Sequence, residues 1–221
     1  MRNLNDYRKV VGDEVISGIY RKARKLYGKH FLNINSTYFG SDVAEILDSL
    51  VPLINNVGIE ADWRILRGSP DLFTITKKFH NALHGDSINL TDIKKQLYLD
   101  ANEDFSTYCH IDQDCVIIHD PQPLPLIRFY RKTQPWVWRC HIDLTDPNKE
   151  LWEFLKEFIL KYDVVVFSSE RYKKKDLPVE QRVIVPAMDP LSLKNKELSE
   201  RDIAKYIKKA GIPNDRPIIT Q

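Results

Sequence analysis

The sequence has few of the residue types and patterns that identify particular classes of protein. Its three cysteines, Cys109, Cys115 and Cys140, have no CxxC spacing and follow no secretory leader, which predicts reduced thiols and a cytoplasmic location. No apolar run approaches the length that a membrane span requires. The 33 basic and 31 acidic residues leave a net charge of only +2. We therefore predict a soluble protein with no nucleic-acid partner and no membrane partner.

The sequence does have short apolar runs that alternate with amphipathic stretches. This alternation is typical of parallel strands covered on both faces by helices, and 221 residues with 43% apolar content can bury one large core. We predict strands near residues 31–35, 59–66, 114–119, 136–141, 163–168 and 182–186. We predict helices near residues 4–27, 42–57, 70–84, 91–104, 123–132, 148–161 and 199–210. The predicted fold is a single Rossmann-like α/β domain with a mostly parallel sheet and helices on both faces.

The end of the sequence resembles the beginning of another domain. A predicted helix stops near Gly211 and Pro213, and the residues after it, Arg216–Gln221, look like the opening of a strand. We predict one domain over residues 1–215 and the start of a missing second domain at 216–221.

The stretch FLNINSTYFGSDVAEI, residues 31–46, is the most informative motif. It runs from an apolar strand through Gly40 into the first turn of an amphipathic helix at Asp42. Such a junction presents free backbone N–H groups and the positive end of the helix dipole, which suit an anion, a sugar hydroxyl or an oxyanion. Ser41 and Asp42 are residues typical of a helix N-terminus. We expect the ligand site here.

Polar clusters follow the predicted strands, at the edge where open α/β sheets bind ligands. Strand 114–119 leads into His119, Asp120 and Gln122, and strand 136–141 contains or leads into Arg139, His141 and Asp143. These side chains can hydrogen-bond sugar hydroxyls or hold a phosphate. The alternative is that the histidines are buried with their hydrogen bonds satisfied, and that the aspartates cap loops.

Two chemical interpretations of other residues stay open. His80 and His84 share a helix face and could ligate zinc with His110 or Cys109, but no HExxH or paired-cysteine pattern accompanies them, so we predict no metal. Ser41 could be a nucleophile with His84 as its base, and Cys109 is a weaker candidate. No GxSxG motif supports a serine hydrolase, and a serine before a helix is usually a cap.

Several strings resemble the N-terminal domain of archaeal trehalose synthases of the glycosyltransferring type, in glycosyltransferase family 4. They are NSTYFGSDVAEILDSLVPL, FHNALHGD, VIIHDPQPLPLI, WVWRCHIDLTDPN and MDPLSLKN, and the resemblance covers nearly the whole chain. It implies a GT-B architecture in which two Rossmann-like domains face each other across a cleft. The first domain would hold the acceptor glucose and the second a nucleoside diphosphate glucose. The family transfers glucose with retention of configuration, and the leaving diphosphate is thought to help deprotonate the acceptor.

The resemblance also implies roles for individual residues. The glycine loop of the family maps to Gly40, Ser41 and Asp42, which would approach both the sugar and the diphosphate. His119 and Asp120 would hold acceptor hydroxyls, and Arg139 would order the loop or the diphosphate. The residues implied for the acceptor side of the cleft are His84, His119, Asp120, Gln122, Arg139, His141 and Asp143.

The chain departs from the family pattern at Ser41 and Asp42, where relatives carry glycines, and at His84, where glutamine is common. Two hypotheses follow. In the first, the chain is the acceptor-binding half of the enzyme, binds glucose or a similar polyol, is inactive alone and has no cofactor, since the site of the nucleoside diphosphate glucose is largely absent. In the second, it is an engineered scaffold whose installed hydrolase site comprises Ser41 or Cys109, His84 and Asp42. A plain interaction fragment is a third class, and the uncovered domain interface would favour self-association.

Overall fold

Six parallel strands form one sheet in the computed structural model, which describes residues 3–195, 197–213 and 217. The strands are β1 (His30–Asn35), β2 (Glu60–Ile65), β3 (Cys115–His119), β4 (Trp136–Arg139), β5 (Val164–Phe167) and β6 (Glu180–Val183). Their order across the sheet is β2-β1-β3-β4-β5-β6. All six predicted strands are confirmed, with ends that differ by a few residues, and the α/β class with a parallel sheet is confirmed as well.

Six α-helices accompany the sheet in the described residues. They are α1 (Arg8–Ala23), α2 (Asp42–Asn56), α3 (Pro70–Leu83), α4 (Asp92–Tyr108), α5 (Lys149–Ile159) and α6 (Glu200–Lys209). Five of them begin after a Ser, Thr or Asn whose side chain accepts a backbone N–H of the first turn. These caps satisfy donors that the helix itself leaves unpaired, which explains why the helices begin where they do.

Two of the predicted helices need correction. Residues 123–132 do not form an α-helix; the chain forms a 3₁₀ helix over Leu124–Phe129. Pro123 and Pro125 lie at its start, and each proline removes a backbone donor and restricts the preceding residue. The predicted helix 4–27 is a 3₁₀ turn at Leu4–Tyr7, then α1, then a second 3₁₀ turn at Arg24–Leu26. Gly12 has a φ of 82° and interrupts the helical backbone within α1.

The largest hydrophobic cluster packs on one face of the sheet. Leu32, Ile34, Val116 and Ile118 are fully buried in the central strands, and Trp136 and Trp138 of β4 are fully buried as well. Because successive residues of a strand point to opposite faces, the two tryptophans share one face, as expected for core packing. The packed sheet places the ends of its strands so that they can position side chains beyond them.

The contacts between residues divide the chain into two units, Met1–Ala187 and Met188–Gln221. The first contains the whole sheet, and the second contains α6. The predicted strand at 216–221 lies outside the described residues except for Pro217, so the boundary at residue 215 stays a prediction. No helix in the described residues has the length and apolar character to cross a membrane.

Candidate functional site

A polar cavity of about 430 Å³ lies beyond the carboxyl ends of the central strands. β2 lies on one side of β1 and β3 on the other, so the chain changes direction across the sheet at this point. In open α/β sheets, such a switch point leaves a crevice between the loops that leave the two strands. The residues that line the cavity are Asn35, Ser36, Gly40, Ser41, Asp42, Val43, His80, His84, His119, Asp120, Gln122, His141, Ile142 and Asp143.

The junction between β1 and α2 forms one wall of the cavity. Gly40 has a φ of 75°, a conformation that glycine adopts without strain. Ser41 is the N-cap of α2, and its Oγ accepts the N–H of Ala44 at 3.2 Å. The N–H groups of Asp42 and Val43 have no acceptor in the described part of the chain, and both residues line the cavity. The start of α2 can therefore donate hydrogen bonds to a ligand oxygen.

A pair of stacked histidines lines another part of the cavity. The ring centroids of His119 and His141 lie 5.4 Å apart, and Nδ1 of His119 lies 3.1 Å from Nε2 of His141. Burial lowers the pKa of His119 well below its usual value, with further lowering by His141 and Arg139. Burial, followed by the charge of Arg139, lowers the pKa of His141 to about 4. Both rings are therefore neutral near pH 7 and can exchange hydrogen bonds with uncharged hydroxyls.

Asp120 carries both an unusual backbone conformation and an unusual charge state. Its φ of 61° makes it the only residue other than glycine with a positive φ in the described ranges. Its Oδ1 accepts the backbone N–H of His141 at 2.8 Å. The pKa of Asp120 is raised to about 7, mainly by burial and to a smaller extent by Asp42, while the bond from His141 and the charge of Arg139 act to lower it. Strain and a shifted pKa at one cavity residue are typical of functional sites.

Buried side chains hold the loop after β3 in place. Trp138 Nε1 donates to the carbonyl of Asp120 at 3.0 Å, and Asn102 Nδ2 donates to the carbonyl of Gln122 at 3.1 Å. The hydroxyl of Tyr98 donates to the carbonyl of Pro121. The Gln122 side chain makes no hydrogen bond in the described residues, so it is available to a ligand.

The remaining acidic and histidine candidates also reach the cavity. His84 follows α3, and its Nδ1 lies 3.0 Å from the carbonyl of His80, to which it donates. Asp143 accepts the N–H of Thr145 at 2.7 Å, which is the loop-capping role considered as its alternative. This hydrogen bonding to Thr145 lowers the pKa of Asp143 below its usual value. Both side chains thus combine a local structural contact with a place on the cavity wall.

The structure does not place Arg139 or Cys109 in the cavity. The Arg139 guanidinium points along the sheet and donates to the carbonyls of Phe167, at 3.0 Å, and Ile184. It therefore ties the ends of β5 and β6 to β4 instead of lining the site, although its charge acts on the histidines. Cys109 is buried at the end of α4, where its Sγ accepts a bond from Arg64 at 3.4 Å.

The hydrogen bond required by a Ser41–His84 hydrolase is not formed. Ser41 Oγ accepts the helix cap bond, and His84 Nδ1 binds the His80 carbonyl, with no bond between Ser41 and His84 in the described residues. No group of three or more His, Cys, Asp or Glu side chains in those residues could hold a metal ion. Nothing in this geometry favours the installed-nucleophile hypothesis.

Replacing Ser41 by alanine is expected to lower the free energy of unfolding by about 1 kcal/mol, as the loss of a helix cap does. Ser69 caps α3 in the same way, since its Oγ accepts the N–H of Leu72 at 3.2 Å, so Ser69→Ala is the matched control and should have a similar cost. Urea denaturation measures both. A covalent adduct on Ser41 after treatment with an activated ester, lost in Ser41→Ala, would contradict the purely capping role.

Sequence analysis missed Asn33, Tyr98, Asn102 and the hydrogen-bonding role of Trp138. Asn33 is buried within β1, and its Oδ1 lies 3.1 Å from Nε2 of His119. The one available signal was an asparagine inside an otherwise apolar strand, because a buried amide needs polar partners.

The comparisons with known proteins agree with this fold. The family model described as the N-terminal domain of trehalose synthase matches residues 33–174. The chain is 50% identical over 223 residues to a trehalose synthase of Thermococcus litoralis and 35% identical over 226 residues to one of Rubrobacter xylanophilus. These alignments include 100% and 99% of the chain, respectively, but 54% of each relative, so the chain spans about half their length. A solved trehalose-6-phosphate synthase superposes with a TM-score of 0.59 at 14% identity, covering 83% of this chain and 55% of that one, which supports the fold alone.

Proposed function

The chain belongs to the family of trehalose synthase N-terminal domains, and from this premise we propose that it is the acceptor-binding half of a retaining glycosyltransferase. In this proposal the cavity holds glucose or a similar polyol, and the nucleoside diphosphate glucose binds mainly to a second domain. The proposal fits a chain that spans 54% of its relatives and forms half of a GT-B fold.

One observation carries the proposal: hydrogen-bonding groups, several of them neutral, line a cavity of about 430 Å³. The His119–His141 pair is uncharged near pH 7, and the amides at the start of α2 are donors. Gln122 offers both a donor and an acceptor, and the raised pKa of Asp120 lets its carboxyl be either. Sugar hydroxyls are both donors and acceptors, so a wall of mixed, mostly uncharged groups suits them better than it suits a strongly charged ligand.

The arrangement also suggests how this half contributes to transfer. Asp120 and His119 would fix the acceptor hydroxyls, and the α2 N-terminus would stabilise negative charge that develops on the donor side. Asp42 is an acidic residue at that same N-terminus, so a diphosphate would approach the helix with the carboxylate turned away. Alone, with nucleoside diphosphate glucose and glucose, the chain is expected to form no trehalose.

Glucose is expected to bind to the isolated chain with a dissociation constant in the millimolar range, on the order of −4 kcal/mol. Calorimetric titration to about 100 mM glucose, supported by amide chemical shifts, measures it. Gln122→Ala should weaken binding because it removes a cavity side chain that can hydrogen-bond a hydroxyl. It should leave the fold unchanged because that side chain makes no hydrogen bond within the described residues. Asp176→Asn, which changes a surface partner of Lys156, is the control and should leave binding unchanged. A flat titration of the unmodified chain would contradict the proposal.

A further inference from the structure

Three polar side chains form a directed hydrogen-bond chain that leads from the sheet interior to the cavity. Asn33 lies on β1 opposite Ile117 of β3, so His119 is its diagonal neighbour two residues further along. His119 in turn lies opposite Arg139, and His141 follows Arg139 by two residues. The register therefore places Asn33, His119 and His141 as successive steps, each one strand over and two residues further on.

The orientation of the Asn33 amide is fixed on its own side of the sheet. Its Nδ2 donates to the carbonyl of Asp62 on β2 at 3.3 Å, and its Oδ1 faces Nε2 of His119 at 3.1 Å. An amide oxygen only accepts hydrogen bonds, so Nε2 of His119 must carry the proton. Because the pKa of buried His119 is well below its usual value, the ring is neutral, and its Nδ1 is unprotonated and can accept a hydrogen bond.

The same logic continues to the second ring. Nδ1 of His119 accepts, so Nε2 of His141 must carry the proton that spans the 3.1 Å between them. His141 is also neutral near pH 7, which leaves its Nδ1 unprotonated. That Nδ1 has no partner among the described residues, and His141 lines the cavity. Reversing the Asn33 amide would reverse both tautomers and turn this acceptor into a donor.

We propose that Asn33 is a positioning residue that fixes the tautomers of His119 and His141, so that His141 offers Nδ1 as an acceptor to a hydroxyl of the ligand. Asn33 does not line the cavity itself and acts only through the two rings. The claim about the tautomers rests on the free protein, whereas the claim about the ligand hydroxyl rests on the proposed function.

Long-range proton–nitrogen NMR of the ¹⁵N-histidine-labelled chain tests the tautomers directly. The chain has six histidines, so His119→Gln and His141→Gln are enough to assign the two rings. Both are expected as Nε2–H tautomers near pH 7. An Nδ1–H tautomer at His141 in the unmodified chain would overturn the proposal, whether or not glucose binds.

Variants at Asn33 test its causal role. Asn33→Leu removes the acceptor and should give mixed tautomers at His119 and His141, with glucose affinity reduced about five- to tenfold. Asn35→Leu changes a neighbouring buried asparagine whose hydrogen bonds go to Thr37 and Trp63, so it should leave the tautomers unchanged. Unchanged tautomers in Asn33→Leu would overturn the positioning role. If Asn33→Leu does not fold, the spectrum of the unmodified chain still decides the tautomers, and the smaller Asn33→Ala substitution, which also removes the Oδ1 acceptor, decides the role.

A failure of the proposed function is distinguishable from a failure of this inference. If glucose does not bind but both rings are Nε2–H, the tautomer assignment stands and the sugar-binding proposal falls. If glucose binds but His141 is Nδ1–H, the sugar-binding proposal stands and this inference falls.

Discussion

Replacing Trp138 by phenylalanine is expected to lower the free energy of unfolding by about 2–4 kcal/mol, whereas the same change at Trp136 should cost only about 1 kcal/mol. Both indoles are fully buried on one face of β4, so the loss of ring volume is similar. They differ in their N–H groups. Trp138 Nε1 donates to the carbonyl of Asp120, while Trp136 Nε1 is buried without a partner in the described residues.

The difference between the two variants isolates one hydrogen bond. In Trp138→Phe, the buried Asp120 carbonyl loses its donor, and an unpaired buried polar group costs about 1–3 kcal/mol. In Trp136→Phe, an unpaired N–H is removed, which offsets part of the packing loss. The Asp120 backbone has a φ of 61°, so this bond also holds a strained residue in place.

Urea denaturation followed by circular dichroism measures the two variants, provided that the dependence on urea has the same slope in both. Glucose titration should show weaker binding in Trp138→Phe and unchanged binding in Trp136→Phe, because only Trp138 contacts the loop of the site. Equal losses of stability in the two variants would show that the indole N–H of Trp138 contributes nothing.

The sequence was sufficient for the fold because the fold depends on local patterns. Val164–Phe167, for example, is a continuous apolar run, and only a strand buried on both faces needs one. The 3₁₀ helix at Leu124–Phe129 was mistaken for an α-helix because its apolar pattern is helical, but the effect of alternate prolines on backbone donors outweighed that pattern.

The sequence could predict which loops surround the cavity, but not which side chains point into it. Parallel strands bring their carboxyl ends to one edge, so the segments with Gly40, Asp120 and His141 could be expected to meet there. Which way each side chain points depends on strand register, which the sequence does not specify. Arg139 is on a strand end like His119, yet its long side chain finds carbonyls on the neighbouring strands. Asn33 is important only because the register sets it diagonal to His119. The roles of the predicted site residues stay predictions.

Replacing Asp120 by asparagine is expected to change the pH dependence of stability. The pKa of Asp120 is about 7 in the folded chain, against a usual value of 3.8. Between these values the folded state binds more protons than the unfolded state, so the stabilisation from this group is fully present below the usual pKa and is lost as the pH rises towards 7. The His119 and His141 pKa values are lowered by folding, so those groups act in the opposite direction and lose stability as the pH falls below 6.5.

Asp120→Asn removes only the first of these opposing effects. Asparagine can still accept the N–H of His141 through its Oδ1 and is among the residues that tolerate a positive φ, so the loop should keep its conformation. The unfolding free energy of the variant minus that of the unmodified chain is expected to rise by about 1.4 kcal/mol per pH unit between about pH 4.5 and 6.5.

Asp143→Asn is the matched control because folding lowers the pKa of Asp143 instead of raising it. A lowered carboxyl pKa affects stability only as the pH falls below the usual value, so this variant should show no change of slope between pH 4.5 and 6.5. Urea denaturation at several pH values measures all three chains. Parallel stability curves for Asp120→Asn and the unmodified chain would mean that Asp120 is ionised throughout this range, and its carboxyl would then reach an acceptor hydroxyl only as a charged hydrogen-bond acceptor.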